Sequence, residues 1–147
     1  MQLAELADYD DISVLLIEDS KTDAAAITKA VLHGESFYNF RISRKDSLEE
    51  GLGLLKNSPV DAVLLDLNLP DAKGLKAVNE VHQAFPDLPI VVLSGYSDMD
   101  LIHQALRSGV QEFLIKGECS GMNIRQSIYQ AIVRKQIEQS YQRGEKL

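Results

Sequence analysis

The sequence predicts an α/β domain of five βα units, a doubly wound parallel sheet with helices on both faces. Three observations carry that expectation. Short, continuously apolar runs recur along the chain at Val14-Leu-Leu-Ile17, Ala62-Val-Leu-Leu65 and Ile90-Val-Val-Leu93. Unbroken apolar strands suit a sheet covered on both sides, where no face meets water. Between them, segments of helical period set Leu48, Leu52 and Leu55, or Leu75, Val78, Val81 and Phe85, along a single stripe. Finally, strand and helix alternate with short connections, which leaves right-handed crossovers between parallel strands as the way to join them.

Taken in order, the expected strands are 12–17, 37–43, 60–66, 89–94 and 112–116. Helix starts are marked by Ser20-x-x-Asp23, Ser47-x-x-Glu50 and Ser97-x-x-Asp100, in which the hydroxyl accepts from a free amide and the acid returns the bond. Asp71 and Ser120 are expected to cap two further helices, and Gly34 and Gly109 stand where left-handed stops fit. The result is a flavodoxin-like (βα)5 arrangement with strand order 2-1-3-4-5. Its functional crevice is expected beyond the carboxyl ends of the strands, near the switch point between the first and third.

With 147 residues and 45% apolar content, the chain is long enough to bury one core without staples. The expected organisation is an N-terminal leader at 1–11, one domain at 12–134 and a C-terminal helix extension or linker at 135–147. The lone Cys119 has no partner for an internal disulfide, which points to a reducing cytoplasm. Residues 1–11 hold Glu5, Asp8, Asp10 and Asp11 but no Lys or Arg, unlike a secretory signal. The apolar runs are far too short to cross a bilayer. A net charge of −7 argues against direct binding of nucleic acid. Arg41, Arg44 and Lys45, like Arg134 and Lys135, read as solvated surface. His33, His82 and His103 lack a second ligand at metal spacing, and Cys119, although near a helix start that favours thiolate, reads as an idle thiol.

The chemistry collects at the ends of the central strands: Glu18 and Asp19 after the first, Asp66 ending the third, Ser94 ending the fourth and Lys116 ending the fifth. Two unit charges about 4 Å apart repel by about 4 kcal/mol even at an effective dielectric near 20, so three carboxylates together call for neutralisation. Lys116 supplies one positive charge, and a hard divalent cation held by oxygen ligands, Mg²⁺, supplies two. Such a site suits phosphoryl transfer, which is stabilised by positioning and fixed positive groups. Asp66 is the natural nucleophile. Asn68 is placed to lend the metal a backbone carbonyl, while Ser94 and Lys116 are expected to meet phosphoryl oxygens. Each residue alone also fits a bland reading as a loop acid, a cap or a surface lysine; the combination outweighs the parts.

Across residues 12–134 the sequence resembles the receiver domains of bacterial two-component response regulators. The matching features are the acidic pair Glu18-Asp19, Asp66 within Asp66-Leu-Asn-Leu-Pro-Asp-Ala-Lys-Gly74, the hydroxyl-small pair Ser94-Gly95, and Lys116. The resemblance implies a phospho-acceptor Asp66, Mg²⁺ as cofactor, and a sensor histidine kinase or histidine phosphotransfer protein as partner. It implies an acceptor rather than a turnover enzyme. It also makes Phe113 an aromatic rotamer switch coupled to Ser94, and gives Asn68 and Tyr96 the positions that tune phosphoryl lifetime. Glu18 is one methylene longer than the family's usual aspartate, which implies metal contact through water. Gly117 replaces the proline that follows the lysine in many receivers.

Three other readings compete. An aspartate-nucleophile phosphatase wants a second acid where Asn68 stands, and an FMN module would meet repulsion between its phosphate and Glu18-Asp19. A non-switching pseudo-receiver scaffold would not require the complete site. For output, the helices expected at 97–108 and from Ser120 onward flank the fifth strand and form the expected surface for partner binding or homodimerisation. On the last helix, Ile124, Ile128 and Ala131 fit an inward stripe, whereas Val133, Ile137 and Tyr141 continue on a rotated face.

Overall fold

A computed structural model describes residues 11–34, 38–95 and 99–144. Five parallel strands form one sheet: β1 (Asp11–Ile17), β2 (Asn39–Lys45), β3 (Ala62–Asp66), β4 (Ile90–Ser94) and β5 (Glu112–Ile115), in the order β2-β1-β3-β4-β5. They alternate with α1 (Lys21–Leu32), α2 (Leu48–Asn57), α3 (Leu75–Ala84), α4 (Met99–Arg107) and α5 (Gly121–Gln142). The fold class and strand order are those read from the sequence. All of β3 and β4 is buried, as their unbroken apolar character requires.

Period-two alternation divides the core between the two faces. From β1, Ile12, Val14 and Leu16 pack with Ala24, Ile27 and Val31 of α1 and with Ile124, Ile128 and Ala131 of α5. Leu15 and Ile17 face the other way, toward Leu48 and Leu55 of α2, Val78 and Val81 of α3, and Ala105 of α4. The sheet is therefore a wall between two apolar layers, and only its carboxyl edge is left to hold polar chemistry.

Several local expectations are corrected. β2 (expected at 37–43, its first residue outside the described residues) runs on to Lys45, because it pairs in register with the whole of β1, from Asp11↔Asn39 to Ile17↔Lys45. It is the edge strand, and its exposed and half-buried residues alternate. Asp71 does not cap α3, whose N-cap is Gly74 without a side-chain bond. Instead its carboxylate accepts from the amides of Leu48 and Glu49 at 3.0 and 2.9 Å, at the start of α2. Ser47 accepts from the Glu50 amide of the same helix, so α2 has two caps. At α1 only half of the expected box forms: Ser20 Oγ accepts from the Asp23 amide, while the Asp23 carboxylate turns elsewhere. Ser120 does cap α5, in a reciprocal box completed by Asn123. Gly34 and Gly109 both take φ near 100°, the left-handed stop expected of them. The cap expected of Ser97 and the leader up to residue 10 lie outside the described residues. α5 continues through 134 to Gln142 without interruption.

Candidate phosphoryl-acceptor site

Parallel register brings the site together. Asp66 is the last residue of β3 and sits opposite Leu93 of β4, so Ser94 follows one step beyond and is itself opposite Ile115 of β5. Lys116 stands one residue past β5 rather than within it, and its amide donates to the Ser94 carbonyl at 2.9 Å. On the other side of β3, the Glu18 amide continues the β1–β2 ladder by donating to the Lys45 carbonyl at 3.0 Å. Glu18, Asp66 and Ser94 are buried, whereas Asp19 is exposed.

One oxygen from each of Glu18, Asp19 and Asp66 lies within 4.8 Å of the others. The Lys116 ammonium donates to Glu18 Oε1 and to Asp23 Oδ2 at 3.2 Å, and lies 3.4 Å from Asp66 Oδ1. Burial, reinforced by the adjoining Asp66 carboxylate, pushes the Glu18 carboxyl up to about 7. Burial by itself would lower the Lys116 ammonium, but its bond to Glu18 and the charge of Asp66 hold it well above the usual lysine range. Lys116 is therefore a fixed cation, and the acidic pocket has surplus negative charge.

The donor set fits a hard divalent ion. Three carboxylates converge, and Glu18 Oε2 is buried with no hydrogen-bond partner, a costly condition for a carboxylate oxygen that a cation would relieve. Mg²⁺ matches an all-oxygen ligand set. Asn68, expected to lend its carbonyl, is exposed in the loop after β3 and is bridged to Lys73. That loop is closed by the Gly74 amide donating to the Leu67 carbonyl at 2.7 Å and is anchored by buried Leu67 and Leu69.

Phe113 is half-buried on β5 and packs against the α2–α4 layer. Gly117 takes φ 83°, a left-handed turn directly after the lysine that glycine adopts at little cost. Tyr96 lies outside the described residues. Burial pushes the Cys119 thiol up, away from thiolate chemistry and in keeping with its reading as an idle thiol.

The sequence reading missed two participants. Asp23 was legible only as a cap residue, because its partner Lys116 is 93 positions away. Arg44, read as solvated surface, donates from Nε to the Glu18 carbonyl at 3.0 Å and from Nη2 to the Asp19 carbonyl at 3.2 Å. Its position near the end of β2, the strand paired with β1, was the available signal.

This constellation of carboxylates and one lysine lies at the carboxyl edge of a doubly wound sheet, and comparison identifies its family. Residues 14–128 match the family model for the response regulator receiver domain, and the chain belongs to that family. It is 30% identical over 117 residues to the regulatory protein LuxO of Vibrio vulnificus, covering 80% of this chain and 25% of that protein. It is 36% identical over 103 residues to the cell cycle transcriptional regulator CtrA of Caulobacter vibrioides, covering 70% of this chain and 43% of that one. The chain thus spans less than half the length of these relatives. Among solved structures, it superposes on the signal receiver domain of a LuxO repressor protein from Vibrio parahaemolyticus with a TM-score of 0.73 at 20% identity, covering 88% and 95% of the two chains. A CheY-like receiver domain from Methanospirillum hungatei gives 0.70 at 18%, covering 86% and 98%. At these identities the likeness concerns the fold. Among the described residues, no helix is long and apolar enough to cross a membrane.

Proposed function

We propose that Asp66 accepts a phosphoryl group from the phosphohistidine of a sensor histidine kinase or histidine phosphotransfer protein in two-component signalling, and that the cargo switches a partner-binding surface. The observation that carries this reading is the placement of one buried carboxylate, Asp66, 3.4 Å from a fixed ammonium and within the acidic cluster. In the transfer, an Asp66 oxygen forms the new bond to phosphorus as the N–P bond breaks, and the imidazole leaves with the bonding pair. Lys116 and the Ser94 hydroxyl are suited to receive phosphoryl oxygens. Glu18, Asp19, Asp66 and the Asn68 carbonyl would hold Mg²⁺, which when bound offsets charge on the transferring group.

The chain assists its own phosphorylation and dephosphorylation without being a turnover enzyme. The output device is Ser94 drawn toward the phosphoryl group and Phe113 turning inward behind it, which alters the surface of α4, β5 and α5 for a partner or a second copy. Asn68 and Tyr96 tune the lifetime of the phosphoryl group. A cytoplasmic setting agrees with a lone half-buried cysteine.

The test is to incubate the chain with acetyl phosphate and Mg²⁺ and measure intact mass. One phosphoryl group per chain is expected, lost on treatment with hydroxylamine and absent from Asp66→Asn. Equal labelling of Asp66→Asn, or sustained turnover of small phosphate esters, would contradict the assignment.

A further inference from the structure

Arg44 lies on the penultimate position of β2, with its side chain 27% exposed, and reaches across to the loop that follows β1. Its Nε donates to the Glu18 carbonyl at 3.0 Å and its Nη2 to the Asp19 carbonyl at 3.2 Å, while Nη2 also lies 3.1 Å from Asp46 Oδ1. The next residue, Lys45, accepts from the Glu18 amide. The peptide groups on both sides of Glu18 are therefore held by the end of one neighbouring strand. These are the residues whose carboxylates must converge on Asp66, and mutual repulsion drives them apart. A planar guanidinium bonding two consecutive carbonyls resists the backbone rotation that would relieve the repulsion.

We propose that Arg44 is a positioning residue for the divalent-cation site: by clamping the carbonyls of Glu18 and Asp19 it pre-aims both carboxylates at Asp66. The inference rests on reading these acids as Mg²⁺ ligands. It explains why an arginine, rather than any cation, serves here. A lysine keeps the charge but bonds through a single point and cannot span both carbonyls in a fixed plane.

The experiment compares the full chain with Arg44→Met, Arg44→Lys and Asp46→Asn, following the Mg²⁺-induced rise in melting temperature and the Mg²⁺ dependence of labelling by acetyl phosphate. Loss of an outer partner of metal ligands typically weakens metal binding about 10–100-fold, so Arg44→Met is expected to raise half-saturating Mg²⁺ about tenfold. Its labelling rate at saturating Mg²⁺ should stay near that of the parent. Arg44→Lys should fall between the two, and Asp46→Asn, which leaves both carbonyl bonds in place, should match the parent. If Arg44→Met does not fold, the displaced half-saturation of Arg44→Lys against an unchanged Asp46→Asn carries the result. Parent-like half-saturation in both Arg44 variants, or an equal shift in Asp46→Asn, would overturn the clamp and leave the acceptor reading standing. A parent chain that neither binds Mg²⁺ nor is labelled would overturn the acceptor reading and the clamp with it.

Discussion

The two faces of the sheet are equally apolar next to the strands but are fastened differently. On the α1–α5 face, Arg125 Nη1 donates to the carbonyls of Ala30, Val31 and His33 at 3.0, 3.3 and 2.8 Å, satisfying acceptors that the end of α1 leaves orphaned. Gly121 approaches α1 so closely that an added Cβ would stand 2.0 Å from the Ala30 carbonyl oxygen. Tyr38 and Tyr129 stack with ring centroids 4.8 Å apart. The α2–α4 face relies on side-chain packing, with the Asp71 strap to α2 as a directional tie. Directional polar bonds fix one geometry, whereas apolar contacts tolerate alternative packings of similar volume. The clasped face is thus suited to be a frame, and the face that receives Phe113 is suited to repack.

The largest effect that would sharpen this contrast is at the clasp. Gly121→Ala forces a methyl group against backbone rather than a flexible side chain and is expected to cost about 3 kcal/mol, at the upper end of ordinary overpacking. Urea titration would measure it. Asp66 labelling of the folded fraction should be unchanged; a stable Gly121→Ala protein would show that the α1–α5 contact is looser than described.

A smaller effect separates the carboxyl edge from both faces. With its carboxyl raised from 4.5 to about 7, Glu18 binds a proton more tightly when folded than when unfolded. Its stabilising contribution is full below the unfolded value and is lost as pH rises through about 7. Lys116, raised above its ordinary value, keeps its full contribution across this window. Burial raises the Asp71 carboxyl, but the amide bonds from Glu49 and Leu48 together outweigh it and hold the group low, so it changes only at more acidic pH. Metal-free stability should therefore fall between pH 5 and pH 8 by at most about 1.4 kcal/mol per pH unit, the limit for one proton. The slope should vanish in Glu18→Gln, and Mg²⁺ should restore the parent at high pH. An identical slope in Glu18→Gln, read from melting curves, would place the titrating group elsewhere.

The sequence revealed most where one stretch of chain decides the outcome. The runs 14–17, 62–65 and 90–93 are apolar throughout because their strands are covered on both sides, and that character needs no distant partner to be read. β2 runs past its expected end at 43 because an edge strand alternates weakly and takes its limits from β1. At the site, Glu18, Asp19, Asp66, Ser94 and Lys116 were legible because each directly follows or ends an apolar run. Arg44, Asp23 and Asp71 were not, since each bonds to groups 22 or more positions away and offers only an ordinary polar side chain locally. Asp71 was misassigned for that reason: a cap motif specifies a helix start, but not which one.

Amide exchange with and without beryllofluoride, a phosphoryl mimic, in the presence of Mg²⁺ tests most directly whether chemistry at Asp66 reaches the α4–β5–α5 surface while the α1–α5 clasp holds. The account predicts altered protection in α4, β5 and the part of α5 beyond residue 131, with α1 and residues 121–131 of α5 unchanged, and no response in Asp66→Asn. Equal changes on both faces, changes confined to the α1–α5 clasp, or none at all would contradict it.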